Sequence, residues 1–262
     1  MTASRVTPAG TLLREWRQRR RLSQLDLAHL AGTSARHLSY VENGRSLPSR
    51  DMVLRLSETL EVPLRDVNQI LLGAGHAPAY DDSRTDRVAM RTLLDTLDLV
   101  LDTYDPWPAL VLDDHFDIVA NNAAVGRPLT LIDADLLDPP INVVRVTLHP
   151  RGLSQHITNI AQWRAHLLRQ LRRHAAAAPT ADLDALLVEV EGYPVRPREE
   201  LTGGPTFALA MNLDVDGQAL RLYSTVATFG TPLDIAASEL AIETFLPADA
   251  ATSQWLAGAA PA

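Results

Sequence analysis

The 262-residue chain contains neither cysteine nor lysine, and aromatic residues make up only 5% of it. Without cysteine there is no disulfide, no thiolate nucleophile and no zinc site that depends on sulfur. Without lysine, every basic contact to a partner must come from arginine, whose planar fork suits phosphate oxygens and guanine edges. No apolar run approaches the ~18–20 residues needed to cross a bilayer, so no membrane partner is expected. Residues 1–10 lack the apolar stretch and small-residue cleavage site of a secretory signal. A cytoplasmic protein is the expectation.

What is present points to a folded protein with two different ends. Apolar residues make up 46% and charged residues 21%, a globular composition, and the length allows one large domain or two ordinary ones. The net charge of −8 is unevenly spread. Residues 1–75 hold 11 arginines against 7 acidic residues, a balance of +4. The remainder holds 13 arginines against 25 acidic residues, a balance of −12. A basic head on an acidic body implies an anionic partner for the head alone.

The head reads as short helices. Leu12, Leu13 and Trp16 recur at helical spacing over 11–20 and lead into the basic tract Arg17, Arg19, Arg20 and Arg21. Ser23 and Asp26 form a capping-box start, and Gly32 ends that helix. A second helix begins at Ser34 and ends at Asn43-Gly44, a pair suited to left-handed backbone. A fourth helix spans 50–60 and a fifth runs from Pro63 to Leu72. Trp16, Leu25, Ala28, Leu38, Val41 and Leu56 are expected in the core. Glu42 is expected to pair with an arginine of the fourth helix or the linker. Two short helices joined by a glycine-containing turn form a helix-turn-helix.

The stretch Leu22-Ser23-Gln24-Leu25-Asp26-Leu27-Ala28, Ala31-Gly32-Thr33-Ser34 and Leu38 to Ser49 resembles the xenobiotic-response-element (XRE), lambda-repressor-like family of regulators. That resemblance implies double-stranded DNA as partner, with helix 34–42 in the major groove. Ser34, Arg36, His37 and Tyr40 would then read base edges, Arg36 by forking onto a guanine. Gln24 would contact the backbone or a flanking base, while Asn43, Arg45 and part of the tract from Arg17 would hold phosphates. The plainer readings stay open: arginines on a solvated face, and Tyr40 covering a hydrophobic seam.

Residues 73–83 read as a linker, with domain limits at 1–75, 76–83 and 84–262. Beyond it, helices are expected over 86–103, 160–177 and 182–191. Hairpins are expected over 109–120 and 207–229, and a last amphipathic helix over 235–245. This is an α+β domain with a small antiparallel sheet, its helices on one face. The segments 108–122, 142–153, 223–232 and 239–249 resemble the MmyB-like ligand-binding domain, which is PAS-like. The resemblance implies a cavity for a fatty acid or similar acyl chain, with no other cofactor. For a carboxylate-bearing ligand, Asn142, Arg145 and His149 fall on one helical face as a possible anchor. The alternative is that Arg145 pairs with an internal carboxylate and His149 caps a helix end.

No enzyme is expected. The histidines make no His-Glu-x-x-His site, and no nucleophile elbow, phosphate-binding loop or dinucleotide fingerprint occurs. Asp113-Asp114-His115 reads as a hairpin turn before a metal site, and Asp214-Val215-Asp216-Gly217 lacks the later ligands of a calcium loop. The sequence thus favours a dimeric, ligand-responsive transcriptional regulator on a palindromic operator. The alternative is a DNA-binding adaptor whose second domain binds a protein and no small molecule.

Overall fold

The computed structural model describes residues 7–194, 208–230 and 232–258. They fall into two compact units, Met1–Asp86 with Thr231–Ser238, and Arg87–Gly230 with Glu239–Ala262.

The first unit is helical: α1 (Ala9–Arg19), α2 (Gln24–Leu30), α3 (Ala35–Glu42), α4 (Arg50–Thr59) and α5 (Leu64–Gly73). Local chemistry sets three of the starts. The hydroxyls of Ser23, Ser34 and Ser49 accept the N–H of Asp26, His37 and Met52, satisfying donors that the first turn leaves free. At Ser23 the carboxylate of Asp26 reaches back to complete the capping box. Gly32 and Gly44 take φ of +63° and +69° and end α2 and α3. Gly10 serves a different purpose. A Cβ there would lie 2.1 Å from the carbonyl oxygen of Val41, so its lack of a side chain lets α1 and α3 meet backbone to backbone. Leu13, Leu27, Leu38, Leu56, Ile70 and Leu71 fill the core. Leu25 does not join them and is 69% exposed. On the seven-residue α2, Leu27 and Ala28 face inward and turn Leu25 to solvent.

The second unit is built on a five-stranded antiparallel sheet in the order β2-β1-β5-β4-β3. Its strands are β1 (Ala109–Leu112), β2 (Ile118–Asn121), β3 (Met211–Val215), β4 (Gln218–Thr228) and β5 (Ala241–Pro247). The order agrees with the α+β, PAS-like expectation. The β3–β4 hairpin turns on Asp216 and Gly217, both at positive φ, as a two-residue primed turn requires. Part of the expected strand from 207 lies outside the described residues. Helices α6 (Arg87–Asp102), α7 (Gly126–Leu129), α8 (Val143–Leu148), α9 (Ile160–Ala177), α10 (Ala181–Glu191) and α12 (Ala250–Leu256) complete the unit.

Two expectations change here. Residues 241–247 form the central strand β5, flanked by β1 and β4. Only the short α11 (Ile235–Ser238) precedes it as helix. The apolar spacing of 235–245 fits a helix, but Ile242 and Thr244 alternate with Glu243 and Phe245 across a pleat that two neighbouring strands complete. Helices also cover both sheet faces. Leu97 and Leu101 of α6 pack on Ala109, Val111 and Ile242, whereas α8, α9 and α10 pack on the face of Met211, Leu213 and Leu222.

Residues 76–83 are likewise no free linker. Arg50 donates to the carbonyls of Ala77 and Pro78, and the Asn68 amide holds the N–H of Ala79 and Tyr80. Asp234, just before α11, accepts from the N–H and Oγ of Ser83 at 2.8 and 2.9 Å. The first unit therefore includes a short segment taken from between β4 and β5.

Candidate nucleic-acid interface and ligand cavity

α3 presents Arg36 and His37 to solvent, with Ser34 exposed at its N-cap and Tyr40 half-buried one turn on. Arg36 Nε donates to Tyr40 Oη at 3.1 Å, and its guanidinium lies 5.5 Å from the ring centre. Both terminal nitrogens of its guanidinium meet no protein acceptor among the described residues. Asn43 and Arg45 are exposed beyond the helix. Asn43 Oδ1 accepts from Arg14 Nη2 at 2.8 Å, which places a half-exposed arginine of α1 beside the expected phosphate contacts. Sequence reasoning passed over Arg14, although it lies three residues before Arg17, on the same face of α1.

Behind this surface lies a buried charge. The Glu42 side chain has no exposed surface and receives Arg17 Nε at 2.7 Å, Arg17 Nη2 at 2.8 Å and Gln24 Nε2 at 2.8 Å. Burial alone would raise the Glu42 pKa. The hydrogen bonds from Arg17, Gln24 and Arg14, with the Arg17 charge, outweigh it and hold the carboxyl below the ordinary glutamate range. The expected ion pair exists, but its arginines come from α1 and not from α4 or the linker. Arg17, expected among the phosphate contacts, spends its fork on Glu42 and donates also to the carbonyl of Leu22. Gln24 keeps only part of its amide for other partners. The cluster joins α1, α2 and α3, and so sets how α3 stands against α2.

In the second unit, a cavity of about 70 Å³ opens between the sheet and α7, α8 and α9. Leu110, Leu129, Val146, Trp163, Leu222 and Phe245 contribute to an almost wholly apolar wall. The exceptions are Glu243, on β5, and Thr147, on α8. Glu243 was not foreseen, because its segment read as a helix and its face could not be assigned.

Asn142, Arg145 and His149 do not line this cavity. Asn142 is the N-cap of α8, accepting from the Arg145 N–H and donating to the His115 carbonyl and Asp117 Oδ1. Arg145 makes a two-pronged ion pair with Glu189, 2.8 Å at each prong, which raises the Arg145 pKa and lowers that of Glu189. Tyr193 also donates to Glu189, and burial with that carboxylate pushes its pKa up to about 12. His149 is the C-cap residue of α8, and burial together with the nearby Arg151 lowers its pKa. Asn142 and Arg145 border a separate polar cleft with His115, Asp117 and Asp182. The internal-carboxylate alternative describes Arg145. Replacing Asn142 with alanine is expected to cost about 0.5–2 kcal/mol through the lost cap, read as a lower melting temperature. Binding in the apolar cavity should be unchanged by it.

The two remaining acidic motifs behave as turns. Asp113 Oδ1 accepts the N–H of both His115 and Asp117, and Asp214 Oδ1 accepts the N–H of Gly217. Asp113, Asp114 and His115 hold their ligand atoms within 4.8 Å of one another, and burial raises the pKa of Asp113. Among the described residues no helix is long and apolar enough to cross a membrane.

Comparison with known proteins agrees with this division. Residues 13–67 match a helix-turn-helix family, and residues 93–258 match the MmyB-like transcription regulator ligand binding domain. A curated relative from Bacillus subtilis (strain 168), described as the uncharacterized HTH-type transcriptional regulator RghRB, is 33% identical over 78 residues, 29% of this chain. The match spans about half of that relative, 54% of its length. With a helix-turn-helix in the first unit and the family's ligand-binding fold in the second, the chain belongs to the MmyB-like transcription regulators.

Proposed function

We propose that this regulator reads a palindromic operator as a homodimer and adjusts its hold on that operator to a small apolar ligand of fatty-acid or acyl type. Ser34, Arg36, His37 and Tyr40 are assigned to base edges. Asn43, Arg45 and Arg14 are assigned to phosphates, Gln24 to the backbone or a flanking base, and Arg17 to positioning through Glu42. The cavity in the second unit is the observation that carries the ligand reading, because a plain core leaves no such space.

Its size bears on mechanism. A dry cavity of about 150 Å³ accepts benzene, so the 70 Å³ present here holds only a short apolar segment. A longer chain must displace side chains from the wall. Occupied and empty packings then differ, as a ligand-driven shift between two states requires. β4 and β5 both contribute to the wall, through Leu222 and through Glu243 and Phe245. They are joined by a segment that belongs to the DNA-binding unit. Displacement of either strand thus has a covalent route to the operator-reading half.

Selection of bound DNA from a random pool, with and without added acyl compounds, tests the proposal. The expected result is an enriched palindrome with half-sites ~34–36 Å apart, its recovery changing when ligand is present. A palindrome indifferent to every compound would transfer the second unit to the role of a protein-binding adaptor. No enrichment at low salt would remove the operator reading.

A further inference from the structure

The chain passes between its two units three times, and one carboxylate joins the segments that make these passages. It leaves the first unit after Asp86, returns to it after Gly230 and leaves again after Ser238. Asp234 lies in the returning segment. Its Oδ2 accepts the Ser83 N–H at 2.8 Å, and its Oδ1 accepts the Ser83 hydroxyl at 2.9 Å and the Ala237 N–H at 3.1 Å. Beside this clasp the N–H of Ile235 donates to the carbonyl of Asp81 at 2.8 Å. Ser83 is 6% exposed, so the bonds are sheltered from water.

The clasp has the sheet on one side and the helix-turn-helix on the other. Only Glu239 separates α11 from Leu240, which is buried with Ala109, Val111 and Ile242. Phe229, before the segment, packs against the same cluster. Both ends of the segment are thus rooted in β4 and β5, the strands that carry Leu222, Glu243 and Phe245 on the cavity wall. Within the first unit, Ile235 and Ala236 are buried and α11 packs on α5. Helix α5 also holds the chain that leads to Ser83. Arg65 pairs with Asp82 at 3.1 Å, and the Asn68 side chain bonds the backbone of Ala79 and Tyr80. In turn α5 packs on α1, whose Arg17 is bonded to Glu42 of α3.

We infer that Asp234 is the positioning residue through which occupation of the cavity reaches the DNA-binding unit, its clasp on Ser83 making α11 and residues 81–83 move as one with α5. This rests on the reading of the cavity as a ligand site that changes the hold on DNA, and it names the residue that transmits the change. The covalent connection alone transmits poorly. A segment without fixed partners absorbs a strand displacement in its own backbone angles, as a hinge does. The bonds to Asp234 remove that slack, and coupling travels through elements that are packed and hydrogen-bonded together.

The experiment measures the operator affinity of the full chain with and without decanoate, in the unaltered protein, Asp234→Ala and Ser83→Ala. In the unaltered protein decanoate is expected to change the operator Kd at least about fivefold, the lower end of ordinary allosteric coupling. In Asp234→Ala the change is expected to fall below about twofold. Decanoate binding to the DNA-free variant, read by calorimetry, should stay within about threefold of the unaltered value. A merely structural loss would not separate ligand binding from its effect on DNA in this way. Hydrogen exchange should show the same division: decanoate alters protection in β4, β5, α11 and α5 of the unaltered protein, but only in β4 and β5 of Asp234→Ala. Ser83→Ala keeps the backbone bond to Asp234, is expected to lose part of the response, and decides the matter if Asp234→Ala does not fold. A full response in Asp234→Ala, or in Ser83→Ala where the first does not fold, would overturn the clasp and leave the ligand-responsive reading standing. No response to decanoate in the unaltered protein would overturn both.

Discussion

Replacing Glu42 with alanine is expected to destabilise the helix-turn-helix unit by about 3–5 kcal/mol, the usual cost of removing one partner from a buried ion pair. The reason is what remains. The Arg17 side chain is only 11% exposed, and without Glu42 its guanidinium would stay charged and largely desolvated, with the Leu22 carbonyl as its remaining acceptor. Gln24 would lose its acceptor as well. Arg14, 42% exposed, can turn to water and contributes little. Hydrogen exchange of amides in α1, α2 and α3 measures the loss locally; unchanged protection would show the cluster to be dispensable. The pH dependence follows with a definite sign. Because the folded-state pKa of Glu42 lies below its unfolded value, its stabilisation is fully present above the ordinary glutamate value of ~4.3. It is lost as pH falls through the lower folded value. Acid unfolding of the unit should therefore become less steep in Glu42→Gln, which cannot titrate.

Arg36→Ala is expected to weaken operator binding by about 1–3 kcal/mol, a factor of roughly 5 to 150, and to relax preference at one base pair per half-site. Arg36 is exposed, and its Nε bond and ring contact to Tyr40 present the fork with its terminal nitrogens uncommitted. Truncation should leave stability nearly untouched, which separates it from the Glu42 variant. Arg45→Ala provides the contrast. As a phosphate contact it should weaken all DNA alike and reduce the salt dependence of binding by about one unit of slope. Equal losses on operator and random DNA for Arg36→Ala would move Arg36 from base reading to phosphate contact.

The helical half was largely legible in the residues themselves. Ser23, Ser34 and Ser49 cap within three positions of where they stand, and Gly44 supplies the left-handed turn at its own position. Such interactions are local and need no knowledge of the rest of the fold. The same holds for α9 and α10, whose ends follow the spacing of their own apolar residues, and for the hairpin turn at Asp216-Gly217. By contrast, apolar spacing over 235–245 fits two periods. Pairing with β1 and β4, more than 100 residues away in one case, chose the strand.

Side-chain partners divide in the same way. That Glu42 is buried beside a charge was readable, but which arginine meets it depends on how α1 crosses α3, a close approach that Gly10 permits. Arg145 stands where its helix puts it, yet Glu189, 44 residues on, determines that it is paired rather than free for a ligand. The amino-acid sequence by itself determined the kind of protein, the helix-turn-helix and the capped ends of its helices, because these follow from neighbours within a turn or two. Only the tertiary structure decided that Leu25 faces water, that residues 76–83 are held by Arg50 and Asn68, and that Glu243 lines the cavity. Each depends on groups far apart in the chain, brought together by the packing of the whole unit.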